Sequence, residues 1–478
     1  MGTVIDGGVS RDEPTLGTSP MELRGMFADE LRFSTHERES AAVQGFEGSV
    51  GQLLVEQADD CITLTVGLGP RKECDTSAAR KSIDSLARLN VAGRRVRIAD
   101  VLDNLEQALG REGAARLLAC ELSLRTMSWD QNDSRDAEAF RLGTIEAEAV
   151  AAARLWTNAT AAELAPDSFV DTAIRVAVSE GLEYQVRDGE QLRSDGFGLI
   201  SAVGSGSAHD SFLVDLQYLP DEPVGHICLV GKGVTFDTGG LSLKRPDEMA
   251  AMRMDKAGAS AVLAVMSVIR RLNPRVAVRA LLPIVENMIG PSAVRPGDIV
   301  SSRSGQDVRI VDTDFEGRLI LADAITFAAE SDCDAIVDIA TLTHQVVVAL
   351  GPEIGGMFSN SSDLAKVLAR AAGEAGEPVW RLPLHAGYGA QIATTSGLLK
   401  NHPETDTGRA ITAALFLNRF VPTSTRWAHL DISGPAWVGP ASGDGGTGFA
   451  VRTLLRLIQD LEDSEEILPR SKARTTAE

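Results

Sequence analysis

Cysteine is scarce. Five are scattered over 478 residues (Cys61, Cys74, Cys120, Cys228 and Cys333). The number is odd and no CxxC pair occurs, which excludes a disulfide framework and the usual zinc pattern. Reduced thiols in a cytoplasmic protein are the expectation. No apolar run reaches the roughly 18 residues that a membrane-spanning helix needs. The opening MGTVIDGGVSRDEPTLG has neither a basic patch nor an apolar stretch behind it, so no secretory signal is expected. Positive charge is in deficit: 46 Lys and Arg against 67 Asp and Glu, a formal charge of −21. So acidic a surface repels phosphate backbones and anionic lipid, and nucleic acid and membranes are excluded as expected partners. Internal repeats and low-complexity tracts are absent.

What is present reads as an ordinary soluble protein, with 44% apolar and 24% charged residues. The length exceeds what one core usually serves, so two domains are expected. Residues 1 to about 45 are polar and predict an irregular start. CITLTVGLG from Cys61 predicts a strand, followed by helical stretches over Ser77–Leu89 and Val101–Leu122. The Ala- and Glu-rich segment Thr144–Trp156 predicts a long helix, with Pro166 closing the region behind it. The expected organisation is an N-terminal α/β domain over 1–143, a connecting helix and linker over 144–169, and a catalytic α/β domain over 170–478. In the last, strands His226–Val230, Ala277–Ile284 and Ala335–Ala340 alternate with helices Asp255–Leu272 and Arg318–Glu330. That alternation predicts a mostly parallel central sheet with helices on both faces and ligands beyond the carboxyl ends of its strands.

Two segments at such ends carry chemistry: VGKGVTFDTGGLSLKRPDEMAAMRMDKAGA (Val230–Ala259) and VDTDFEGRLILADA (Val311–Ala324). A phosphate loop does not fit the first, because Gly225 to Gly231 is one residue too long for GxxxxGK and Gly233 follows Lys232 where Ser or Thr is needed. A metal site fits both. Asp237 precedes a Gly-Gly pair that lets the backbone turn sharply. Asp255 opens a helix, where the dipole favours a carboxylate. Asp314 and Glu316 are two apart and share a side of extended backbone. Each unscreened carboxylate pair near 4 Å costs about 4 kcal/mol at an effective dielectric of 20. A pair of divalent cations turns that repulsion into attraction. Lys232, Lys244 and Arg318 are counter-ions, ligands or anion holders. On the residues alone, solvated acidic loops are the competing reading.

The motifs go further. DTDFEGRL (Asp312–Leu319) stands beside GKGVTFDTGGLSLK (Gly231–Lys244), ENM (Glu286–Met288), RPGDIV (Arg295–Val300), DIATLT (Asp338–Thr343), EPVWRLPLH (Glu377–His385), AITAALFL (Ala410–Leu417) and WAHLDISGPAW (Trp427–Trp437). In this order, over about residues 170–455, the chain resembles the cytosolic leucyl aminopeptidases, a family of dinuclear metallopeptidases. The resemblance implies hydrolysis of the N-terminal amide bond of a peptide or aminoacyl amide by water activated between two metal ions. It implies Lys232, Asp237, Asp255, Asp314 and Glu316 as metal ligands, with Asp237 and Glu316 shared between the ions. Lys244 and Arg318 are implied as catalytic residues, Arg318 holding a bicarbonate that acts as general base. Two ions per subunit (Mn²⁺, Zn²⁺ or Mg²⁺) and a homohexamer follow from the same likeness.

The lining departs from the family pattern. Asp312 stands for Asn, Phe315 for Ala, His344 and Gln345 for Gly and Ala, and NHPETDTGR (Asn401–Arg409) for a Gly-rich loop. Phe315 is expected to tilt the ligand loop or narrow the pocket, and His344 to line substrate or pack rather than bind metal. These departures keep two other readings open: a catalytically silent homologue with a scaffold role, and a specialised amidohydrolase acting on one amide metabolite.

Overall fold

The computed structural model describes residues 3–5, 19–31, 41, 45–57, 61–130, 134–395, 397–403, 405–439, 444–464 and 467–468. The chain divides into two compact units, Met1–Glu148 with Gly373–Gly376, and Ala149–Ala372 with Glu377–Glu478. Helix Ala137–Asn158 runs across the division.

The smaller unit is built on six strands, β1 (Thr3–Ile5), β2 (Met21–Met26), β3 (Leu53–Gln57), β4 (Ile62–Gly67), β5 (Arg95–Arg97) and β6 (Ser128–Trp129). They lie in the order β1-β3-β4-β2-β5-β6. β2 corrects the expectation of an irregular start. Met21, Leu23 and Gly25 are buried while Glu22, Arg24 and Met26 are half-buried, the period of two that a strand imposes. Most of residues 1 to 45 lie outside the described residues. The single helical stretch expected over Val101–Leu122 is two helices, Ala99–Leu109 and Arg111–Ser123. Gly110, at φ +73°, separates them.

The larger unit carries β7 (Glu183–Arg187), β8 (Phe212–Tyr218), β9 (Gly225–Gly231), β10 (Gly233–Asp237), β11 (Val276–Asn287), β12 (Ile299–Ser301), β13 (Asp307–Arg309), β14 (Ala335–Ala340), β15 (Gly355–Ser359), β16 (Val379–Arg381), β17 (Leu399–Lys400) and β18 (Arg426–Asp431). Its nine-stranded sheet runs β16-β15-β18-β14-β9-β11-β8-β7, with β10 continuing along β11. The centre, β18-β14-β9-β11, is parallel; β15 on β18 and the β8, β7 flank are antiparallel. The mixed α/β fold and mostly parallel sheet agree with the sequence pattern. Every residue of β14 is buried, as a parallel strand covered on both faces requires.

Two local differences bear on the site. Pro166 does not close the preceding region; it opens helix Pro166–Glu180 at its first turn, where the missing N–H is no loss. The helix expected over Asp255–Leu272 is three pieces: a 3₁₀ turn Met252–Lys256, a helix Ala257–Met266 and a short helix Ile269–Leu272. At the second break Ser267 Oγ donates back to Ala264 O at 2.7 Å, a local bond that competes with the helical ladder.

Candidate metal centre

The chemistry-bearing side chains gather where β9, β10 and β14 end. Lys232 is the single residue between β9 and β10. Its backbone N–H donates to Ile339 O at 3.0 Å and its carbonyl accepts from Ala259 N at 2.8 Å, which pins it between β14 and helix Ala257–Met266. Its amine is buried, 2.7 Å from Asp255 Oδ1 and 2.7 Å from Glu316 Oε1, and donates to Thr341 O at 2.9 Å. Gly317 makes this possible. A Cβ there would stand 2.7 Å from Lys232 Nζ.

Asp237 ends β10. The chain then reverses through Gly239 and Gly240 at φ +82° and +63°, values that favour glycine. The turn brings Lys244 back, so that its amine lies 2.8 Å from Asp237 Oδ2 and also pairs with Asp314. Asp237 Oδ1 accepts from Gly239 N at 2.8 Å and from Asn287 Nδ2 at 2.7 Å. Asp255 lies in the 3₁₀ turn rather than in the helix proper. Its Oδ1 accepts from Thr341 Oγ1 at 2.7 Å, whereas its buried Oδ2 has no hydrogen-bond partner.

Asp237, Asp255 and Glu316 are thus buried together, each offering an oxygen within 4.8 Å of the others, a group able to hold a metal ion. Asp314 is brought to the same place but stands farther out, its side chain 30% exposed. It sits on a turn rather than extended backbone, so the expected shared side with Glu316 is only partly realised. Asp312 shapes that turn, its Oδ1 accepting from Asp314 N at 2.9 Å.

The electrostatics follow from crowding. Burial, opposed by Lys232, raises the Asp255 carboxyl well above its ordinary range. Burial and neighbouring Glu316 raise Asp237. Burial and Asp237 push Asp314 up to about 7. Glu316 goes the other way, because Lys232 and Lys244 outweigh its burial. Burial opposes the charge on both lysines, but the carboxylates around them win and both are raised.

Arg318 is 1% exposed. Burial draws its guanidinium down to about 10, so it stays charged at neutral pH. Its Nη1 donates to Asn401 O at 2.7 Å, and its Nε is buried without a partner. Two departures from the family pattern meet here. The Phe315 ring lies 4.7 Å from the Arg318 guanidinium carbon, and the His402 ring meets it edge-on at 4.4 Å. The bulk of Phe315 is thus taken up by the altered loop and the arginine. His344 is exposed at the first position of helix His344–Leu350.

Three supporting residues lie in segments quoted from the sequence but were given no role there: Asn287 in ENM, Thr341 in DIATLT and Asn401 in NHPETDTGR. Asn287 holds Asp237, Thr341 holds Asp255 and Lys232, and Asn401 holds the ligand loop through Val311 N at 2.8 Å and Asp312 O at 2.5 Å. For Asn287 there is a further signal, an amide ending the apolar run VAVRALLPIVEN: a buried polar side chain there must find a partner.

Comparison with known proteins decides the family. Residues 151–455 match the family model described as the catalytic domain of the cytosol aminopeptidase family. The chain belongs to the cytosol aminopeptidase family. It is 36% identical to the probable cytosol aminopeptidase of Syntrophotalea carbinolica over 455 residues, 88% of this chain and 91% of that one. It is 43% identical to the probable cytosol aminopeptidase of Solibacter usitatus over 330 residues, 66% of this chain and 67% of that one. Among solved structures, the bottromycin maturation enzyme BotP superposes with a TM-score of 0.82 at 33% identity, over 94% of this chain and 100% of that one. BotP in complex with Mn gives 0.81 at 34%, over 93% and 100%. Membership makes this cytosol aminopeptidase family protein a metallo-aminopeptidase, a hydrolase of peptide bonds. Among the described residues no helix is long and apolar enough to cross a membrane.

One buried pair on the adjacent strands β14 and β18 is expected to make the stability of this aminopeptidase depend on pH. His429 Nδ1 lies 2.6 Å from Asp338 Oδ1, and Asp338 Oδ2 accepts from Trp427 Nε1 at 2.7 Å. Burial disfavours the imidazolium, but Asp338 and Asp431 outweigh burial and Arg318, so the His429 pKa is raised above 6.5. A raised histidine contributes stability that is fully present below its unfolded pKa and lost as pH rises through the folded one. Wild-type stability is therefore expected to fall from pH 6.5 upward more than that of His429→Gln. Urea midpoints across pH 6 to 9 would test this; parallel curves for the two proteins would contradict it.

Proposed function

We propose that the chain is a metal-dependent aminopeptidase that cleaves the N-terminal amide bond of a peptide or aminoacyl amide, using two divalent cations (Mn²⁺, Zn²⁺ or Mg²⁺) held by Lys232, Asp237, Asp255, Asp314 and Glu316. The observation that carries this reading is the buried Asp255 Oδ2, which has no hydrogen-bond partner beside two further buried carboxylates. An acceptor so placed costs about 1–3 kcal/mol unless something binds it. Hard carboxylate oxygens with one amine suit these cations. When bound, such a pair polarises a carbonyl and lowers the pKa of water to about 7.

The protein's own groups do the rest. Lys232 must shed a proton to serve as a ligand, and Thr341 O, which accepts one of its N–H bonds, orients what remains. Lys244, 13% exposed between Asp237 and Asp314, keeps its ammonium for the negative charge that develops on the scissile carbonyl oxygen. Arg318 is held by Asn401 O and pinned against Phe315, and its Nε–H is left for an anion such as bicarbonate. Held there by Arg318, such an anion would supply a general base beside the centre. We assign this chemistry to residues 170–478 and none to 1–143. A cytoplasmic location, supported by the names of the relatives, and a homohexamer, supported by the resemblance, complete the reading.

Protein stripped with chelator, then given Mn²⁺ or Zn²⁺, is expected to turn over dipeptides or aminoacyl amides only when metal is restored. Silence across a broad panel would overturn the proposal. A narrow substrate range has one observation in its favour: the altered segments meet at Phe315 and His402, beside Arg318. Turnover of one or two panel members rather than many would support it.

A further inference from the structure

Thr341 stands outside the proposed ligand set, yet it touches two members of it. It follows β14 directly. Its carbonyl accepts from Lys232 Nζ at 2.9 Å, and its hydroxyl donates to Asp255 Oδ1 at 2.7 Å. One residue thus sets the direction of both an amine and a carboxylate that arrive from segments 109 and 86 residues away.

The loop that presents Thr341 is itself tied down. Asp431, the last residue of β18, is buried and pairs in register with Ala340. Its Oδ1 accepts from Leu342 N at 3.1 Å and its Oδ2 from Thr343 Oγ1 at 2.7 Å. Ser433 Oγ accepts from Thr343 N at 3.1 Å and donates to Asp431 Oδ1 at 2.6 Å. Asp431 and Ser433 therefore hold the Leu342 and Thr343 N–H groups of the turn. The Thr341 hydroxyl is not needed to hold the loop; its partner is Asp255.

The consequence is directional. A buried carboxylate with one oxygen fixed cannot rotate freely about its Cβ–Cγ bond. With Oδ1 bound by the hydroxyl and by Lys232, Oδ2 is the oxygen left unpartnered. We propose that Thr341 is a positioning residue of the metal centre, orienting Asp255 and Lys232 from a loop anchored by Asp431. This rests on the reading that the centre binds divalent cations.

Thr341→Val preserves shape and carbonyl and removes only the hydroxyl; Thr341→Ser keeps it. Mn²⁺ binding to the chelator-stripped full chain, followed by calorimetry, is expected to weaken 10- to 100-fold in Thr341→Val, the range for outer-shell partners, and to return to within about threefold of wild type in Thr341→Ser. Melting of the metal-free proteins separates loss of fold from loss of affinity, and the three are expected to melt alike. Thr341→Val binding Mn²⁺ within twofold of wild type would overturn the proposal, as would Thr341→Ser binding as weakly as Thr341→Val. Wild-type protein that binds no Mn²⁺ would overturn the metal reading itself, and this inference with it.

Discussion

Glu316→Gln is expected to leave a folded protein with neither tightly bound metal nor activity. Glu316 is the most strongly ionised of the crowded carboxylates, its acidity set by Lys232 and Lys244 against its burial. Its charge also raises Asp237 and Asp255. Gln keeps the shape and an acceptor for Lys232. In the metal-free protein it therefore removes repulsion as well as an ion pair, and large unfolding is not expected. What is lost is the charge that a cation needs. kcat/KM is expected to fall at least 1,000-fold, about 4 kcal/mol of transition-state stabilisation. A second readout does not depend on turnover. Saturating wild type with Mn²⁺ at about 100 times its Kd should add about 2.7 kcal/mol to stability, seen as a higher melting temperature. Glu316→Gln should show little of that rise. A variant that is stabilised by Mn²⁺ like wild type, or that retains a tenth of its activity, would remove Glu316 from the ligand set.

Lys244→Met is expected to give the opposite pairing of results: metal retained, chemistry lost. The Lys244 amine is held by Asp237 and Asp314, two of the proposed ligands, and so competes with a cation for their oxygens. Methionine fills similar space without competing. Bound metal should therefore be undiminished, while kcat falls 100- to 1,000-fold, about 2.7–4 kcal/mol, as expected when a preorganised oxyanion donor is removed. KM should change much less, because a donor acting on charge that develops late contributes little to ground-state binding. Loss of metal together with activity would make Lys244 a structural counter-ion. An unchanged kcat would exclude it from the chemistry.

Much of the site was legible because its residues lie in short segments whose local geometry is nearly determined. An acid just ahead of two glycines leads readily into a tight turn. The extent of helix Gly317–Ala329 and of β9 and β14 followed from apolar periodicity. Legibility failed where local pattern was weak. MELRGM is a strand because it pairs between β4 and β5 and its alternate residues join a core shared with helix Ala99–Leu109. A single glycine, Gly110, divides what reads as one helix. Phe315 looked like an obstruction until His402, 87 positions on, turned out to pack against it.

The amino-acid sequence on its own determined which chemical groups are present, which of them end strands or open helices, and which family they belong to. Only the tertiary structure decided who holds whom. Asn287 and Thr341 orient acids 50 and 86 residues away, Asn401 holds the backbone of the ligand loop 89 residues away, and the same packing removes the water that would otherwise screen the charges. Periodicities of 2.0 and 3.6 specify the direction of a side chain relative to its neighbours along the chain. Hydrogen bonds and low-dielectric electrostatics depend on distances through space, and those exist only once the sheet has brought its strand ends together.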